Sequence, residues 1–150
     1  MYQSEIEYKY NIFEAMQVRL TKEQKIKIAN SEDVYTIMRA VLMRQNRLHR
    51  QKEYFWVMGL NTANDIMYIE LATIGTLNKN NVDPVEIFSF AVQKKCKRVI
   101  LVHNHPSGNL TPSSDDIHLT HFLKTGGEYL KIEVLDHLII SEEGFKSIPV

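Results

Sequence analysis

The sequence predicts an α/β (α+β) fold, a mixed β-sheet sandwiched by helices. Three observations carry this. Short runs rich in β-branched and aromatic residues, such as "EYFWVMGL", "IMYIELATI" and "RVILV", read as strands. Between them lie stretches with apolar residues at helical spacing and capping residues at their starts. The 150 residues suit one domain around a single core. Helices that alternate with strands, some joined by short turns, give a sheet with helices packed on it.

Each element follows from its own residues. Residues 1–30 form an N-terminal extension, in which the alternating "EIEYKY" reads as an edge strand; residues 31–150 form the domain. Ser31 is the expected N-cap of a helix over 32–49, with Val34, Ile37, Met38, Val41 and Leu42 on its apolar face. "EYFWVMGL" (53–60) and "IMYIELATI" (66–74) are strands, expected to pair antiparallel across the turn "NTAND". Asp83, Pro84 and Glu86 mark a helix start, and Ile87, Phe88, Ala91, Val92 and Cys96 make its apolar stripe. "RVILV" (98–102) is a short buried strand. A helix from 114 to 125 is expected to end at Gly126 and Gly127. "YLKIEVLDHLIIS" (129–141) holds the next strand or two, and "EEGF" turns into a last short one.

Composition narrows the function classes. At 44% hydrophobic and 24% charged, with zero formal net charge, the chain has no overall basic bias towards nucleic acid. The basic run "MRQNRLHRQK" at 43–52 reads as a solvated helix end. The single cysteine, Cys96, has no intrachain partner and reads as a small core residue. One cysteine and no signal-peptide pattern lead us to expect a cytoplasmic protein. No apolar run approaches the ~18 residues of a membrane helix, so no membrane partner is expected.

The chemistry concentrates in "HNHPSGNLTPSSDD", 103–116, which follows a strand and enters a helix. Residues two apart on a strand share a face, so His103 and His105 present their imidazoles together while Asn104 points away. Asp116, in the first turn of the helix, can turn its carboxylate back towards them. Two histidines and one carboxylate suit Zn²⁺ and leave one tetrahedral position for water. Bound zinc lowers the pKa of such a water to ~7. Glu53, an acid opening an apolar strand, is the candidate general base. Ser113 is placed to donate to an oxyanion, and Ser113 with Asp116 also resembles a capping box. His118 and His121 are expected to face solvent. Asp136 and His137 are adjacent on a strand and point to opposite faces, which argues against a direct dyad.

These residues resemble a known family. H-x-H, seven residues, S, two residues and D, with an upstream Glu, is the JAMM signature of JAB/MPN-type zinc metallopeptidases; here it falls on Glu53, His103, His105, Ser113 and Asp116. "HNHPSGNLTPSSDD", "VDPVEIFSFAV" and "LDHLIIS" are similar more specifically to the RadC branch, over roughly 31–150. The resemblance implies a cytidine-deaminase-like three-layer fold. It implies one zinc held by His103, His105 and Asp116, with Glu53 as acid-base and Ser113 supporting the water or oxyanion. It also implies amide hydrolysis, often of isopeptide bonds. Longer RadC proteins carry a DNA-associated helix-hairpin-helix segment, whose glycine turns residues 1–30 do not show. Thr73-Ile74-Gly75 stands where relatives tend to have Ser-x-Gly.

The leading expectation is a zinc hydrolase acting on a peptide or protein substrate. The alternatives are a DNA-repair-associated accessory module without turnover and a metal-stabilised interaction domain. Relatives of this fold often pair through helices, so a homodimer is a further expectation.

Overall fold

The computed structural model describes residues 17–24 and 26–150; "EIEYKY" lies outside the described residues. The domain runs α1 (Ser31–Leu42), a 3-10 turn (His49–Gln51), β1 (Tyr54–Leu60), β2 (Ile66–Ile74), α2 (Pro84–Gln93), β3 (Arg98–Asn104), α3 (Ser114–Leu130), β4 (Glu133–Ile140) and β5 (Phe145–Ser147). The five strands form one sheet in the order β2-β1-β3-β4-β5. β1 pairs antiparallel with both β2 and β3, β3 pairs parallel with β4, and β4 pairs antiparallel with β5. The parallel β3–β4 pair requires a crossover, and α3 supplies it. The mixed sheet, α+β architecture and antiparallel β1–β2 pair are those expected from the sequence.

Strand alternation sorts the core into two layers. Phe55, Val57, Val99 and Leu101 face α2 and α3, where Ile87, Phe88, Leu119 and Leu123 meet them. Tyr54, Trp56, Met58, Ile100 and Val102 face the opposite way onto Val34, Ile37, Met38, Val41 and Leu42 of α1. β1 is buried along its whole length because helices cover both its faces. The three-layer reading follows directly from this alternation.

Four boundaries differ from expectation. The N-cap of α1 is Asn30, whose side chain accepts from Asp33 N, and Ser31 is the first helical residue. That helix stops at Leu42 rather than 49, because its apolar stripe ends there and the polar run beyond has nothing to pack on. Leu48 is fully outside the core and the run closes in a 3-10 turn. Val92 leaves the α2 stripe for solvent, while Cys96 is buried just past the helix end. The last helix passes through Gly126 and Gly127 and ends at Leu130, capped by Lys131, which takes φ 56°. A Cβ on Gly127 would lie 2.5 Å from the Ile132 carbonyl oxygen and 3.3 Å from the Phe88 ring. Glycine is there for close approach to its neighbours, not for termination.

Candidate metal centre

The centre lies at the C-terminal end of β3, where the chain leaves the sheet for α3. His103 is the penultimate residue of β3 and is fully buried; its ring stacks against Phe55 across the β1–β3 pair, 6.4 Å between centroids. His105 is the first residue beyond β3, fixed by a backbone bond to the Ile140 carbonyl at the end of β4. Asp116 is the N3 residue of α3. Its backbone N–H donates to Ser113 Oγ (3.0 Å) and its Oδ2 accepts from Ser113 N (2.8 Å), a reciprocal capping box. The cap therefore fixes the carboxylate that faces the histidines. His103 Nε2 and His105 Nε2 lie 3.1 Å apart; Asp116 Oδ1 is 3.3 Å from the first and Oδ2 is 3.1 Å from the second.

The surrounding acceptors set the tautomers. Thr120 Oγ1 donates its only proton to the Asp116 carbonyl (2.7 Å), so it must accept from His137 Nδ1 (2.6 Å). His137 Nε2 is then an acceptor and takes the proton of His103 Nδ1 (2.8 Å). His105 Nδ1 donates to the Asn109 carbonyl (2.7 Å). Both Nε2 atoms are left as lone pairs, aimed at each other and at a carboxylate. Three converging electron-pair donors repel unless a cation lies between them. Donors about 2.0–2.1 Å from a tetrahedral ion stand about 3.3 Å apart. The observed separations match that spacing, so the residues fit a small divalent metal.

The electrostatics agree. Burial pushes the Asp116 carboxyl up, but with protons on His103 and His105 Nε2, standing where a cation would, their hydrogen bonds and that of the Ser113 backbone outweigh burial and hold it well below the usual carboxylate range. The bond to Asp116 raises the His105 pKa above its ordinary value, with the charge of Glu53 a smaller contributor. Burial holds the His137 imidazole well below its ordinary value, so it stays neutral as the tautomer chain requires. The pocket favours positive charge among the three donors and neutral imidazole behind them.

Glu53 is half-buried just before β1, and its carbonyl accepts from Gly75 N (2.8 Å). The residue between the two histidines holds it in place. Asn104, buried, donates from Nδ2 to the Lys52 carbonyl (2.9 Å) and accepts at Oδ1 from Tyr54 N (2.6 Å), one bond on each side of Glu53. Two side chains of the basic run are occupied too: the Arg44 guanidinium donates to Gln24 Oε1, and that of Arg50 reaches the Gln45 carbonyl and the Glu142 carboxylate. His118 and His121 are exposed on α3. Asp136 accepts from Ser31 Oγ and the His137 backbone N–H, on the face opposite the His137 ring. The Thr73 hydroxyl is buried without a hydrogen-bond partner among the described residues.

The sequence of this chain matches the model of the RadC-like JAB domain over residues 28–149. The chain belongs to the RadC-like JAB domain family. It is 42% identical over 109 residues to a UPF0758 protein of Desulforudis audaxviator, covering 73% of this chain and 47% of that protein. It is 41% identical over 127 residues to one of Methanosarcina mazei, 85% and 53%, and 37% identical over 130 residues to one of Chlorobaculum parvum, 87% and 56%. The chain thus spans about half the length of the curated relatives it matches.

Within this RadC-like JAB domain, the structure brings His103, His105 and Asp116 together as the group able to hold a metal ion among the described residues. Ser113 adjoins them as the helix cap, and Glu53 stands close enough for its charge to act on His105. Sequence reasoning missed Thr120 and the roles of two residues it had weighed otherwise: His137, which with Thr120 sets the tautomer of His103, and Asn104, which brackets Glu53. The only signal for His137 was a histidine with apolar neighbours in "LDHLII". No described helix is long and apolar enough to cross a membrane.

Proposed function

We propose that the chain is a zinc-dependent metallohydrolase that cleaves a peptide or isopeptide bond. The observation that carries this reading is the convergence of two Nε2 lone pairs and one carboxylate, with both tautomers fixed from behind and an acid at hand in Glu53. His103, His105 and Asp116 would hold the ion, which when bound supplies a Lewis acid that polarises a carbonyl and acidifies water. Glu53, a carboxylate that ligates nothing, takes the proton of the attacking water and passes it to the leaving amine. Ser113 Oγ accepts from Asp116 N and keeps its own hydrogen for the developing oxyanion. Of the basic run behind the DNA-binding alternative, Arg44 and Arg50 are engaged within the chain.

The test has two readouts. Elemental analysis of protein purified without a metal-binding tag should find about one zinc per chain, lost in the His103→Ala/Asp116→Ala variant and kept in Glu53→Gln. Zinc-loaded protein is then incubated with a proteome-derived peptide library and with lysine-linked isopeptides. New amine ends should appear with the wild type and vanish with Glu53→Gln. Failure to take up metal overturns the reading, as does undiminished cleavage by Glu53→Gln.

A further inference from the structure

On the α2 side of β2, away from the metal centre, a groove of about 640 Å³ opens between the strand and the helix. Ala72, Phe90, Val92 and Leu130 give it apolar walls. Val92 and Leu130 are 56% and 50% exposed, so the walls are open to a partner. Glu70 belongs to this lining and is only 6% exposed. Its Oε2 has no hydrogen-bond partner among the described residues. Glu86 stands on the rim as a second acid. The Tyr68 hydroxyl, two residues earlier on the same face of β2, is also buried and without a hydrogen-bond partner among the described residues.

A buried carboxylate without a partner is costly, and natural structures seldom keep one without a use. Here burial, helped by the Glu86 charge, raises the Glu70 pKa to about 7. A cation delivered to the groove would restore the ionised form and relieve the repulsion between the two acids. Apolar walls ending in a carboxylate match a side chain with an aliphatic stem and a cationic head. We propose that this groove docks a lysine or arginine side chain presented by a polypeptide partner, with the stem along Phe90 and Val92 and the cation on Glu70. The site is independent of the metal centre and of any hydrolytic reading. Glu70 precedes Ile74, the β2 residue that pairs with Tyr54 beside Glu53, by four positions, about 13 Å of strand.

The test uses the full chain and three capped tripeptides, Ala-Lys-Ala, Ala-Arg-Ala and Ala-norleucine-Ala, with butylamine as a fourth probe. Methyl NMR reads Ala72, Val92 and Leu130, and carboxyl ¹³C NMR reads Glu70. The lysine or arginine peptide should shift all three methyl groups saturably and lower the Glu70 pKa by about one unit or more, and Glu70→Gln should weaken binding about tenfold. Glu86→Gln, an exposed substitution that cannot unfold the protein, should weaken it less. Equal binding of the norleucine peptide, unchanged binding by Glu70→Gln, or no saturable shift would overturn the proposal. So would an equal response to butylamine, which would make the ligand a free amine. Shifts that grow with protein concentration alone would overturn it too, by placing a second copy in the groove.

Discussion

At the residue scale, the grouping of His103, His105 and Asp116 was legible because one rule of geometry suffices for these candidate ligands. H-x-H on a strand puts two imidazoles on one face, and a capped aspartate in the next helix has little freedom. What holds the ligands was not legible, because it is distant in sequence. His137 is 34 positions from His103, and Asn104 meets Lys52 and Tyr54 at 52 and 50. Only the sheet register brings these residues together. The chain from Thr120 to His137 to His103 makes a sharp prediction. Thr120→Val keeps the shape but removes the oxygen that receives the His137 Nδ1 proton, so the histidine is free to present N–H to His103. Zinc affinity, read by competition with a chromophoric chelator, should fall about 10–100-fold. An unchanged affinity would mean that the chain behind His103 does not set its tautomer.

Elements were read best where local chemistry and packing agree. The Asp83 cap with Pro84 at the first turn was found because no tertiary contact was needed to see it. Both misjudged helix ends were set by packing. α1 loses its buried stripe after Leu42, and α3 continues through a glycine pair that looks like a terminator. The two glycines are distinguishable in three dimensions alone. A Cβ on Gly126 would meet only Phe88, at 3.7 Å, an ordinary contact. On Gly127 it would strike the Ile132 carbonyl, part of the backbone that turns α3 into β4. Gly126→Ala should therefore stabilise by about 0.5–1 kcal/mol through helix propensity. Gly127→Ala should destabilise by about 1–3 kcal/mol through overpacking, despite the same gain. Paired denaturant unfolding curves decide it. Equal effects would show that neither position is constrained by its neighbours.

At the scale of the whole molecule, the fold class and the β1–β2 hairpin were readable, but the strand order was not. Periodicity says which residues are buried, and it does not say which strand neighbours which. β1 lies between β2 and β3, so the segment with Glu53 meets the strand with His103, and a site is assembled from residues fifty positions apart. The same topology leaves β2 next to the groove with Glu70 on its helix-facing side, and this has a thermodynamic consequence. The folded pKa of Glu70, about 7, lies above the ordinary 4.5, so folding disfavours its ionised form. The native state holds the proton more tightly than the unfolded chain. Stability is therefore greatest below about pH 4.5, falls as pH rises towards 7, and is level above that. The groove is open to solvent, so the full loss should be about 1–2 kcal/mol rather than the whole value of the shift. Glu70→Gln removes this contribution and leaves His103, His105 and Asp116 alone. Their titration is common to both proteins and cancels in the difference. Unfolding free energies measured from pH 4.5 to 8 should show the wild type losing ground to Glu70→Gln across that window, with the gap constant above about pH 7.5. Parallel curves would mean that Glu70 titrates as an ordinary surface acid, and that the groove holds no buried charge for a basic partner to neutralise.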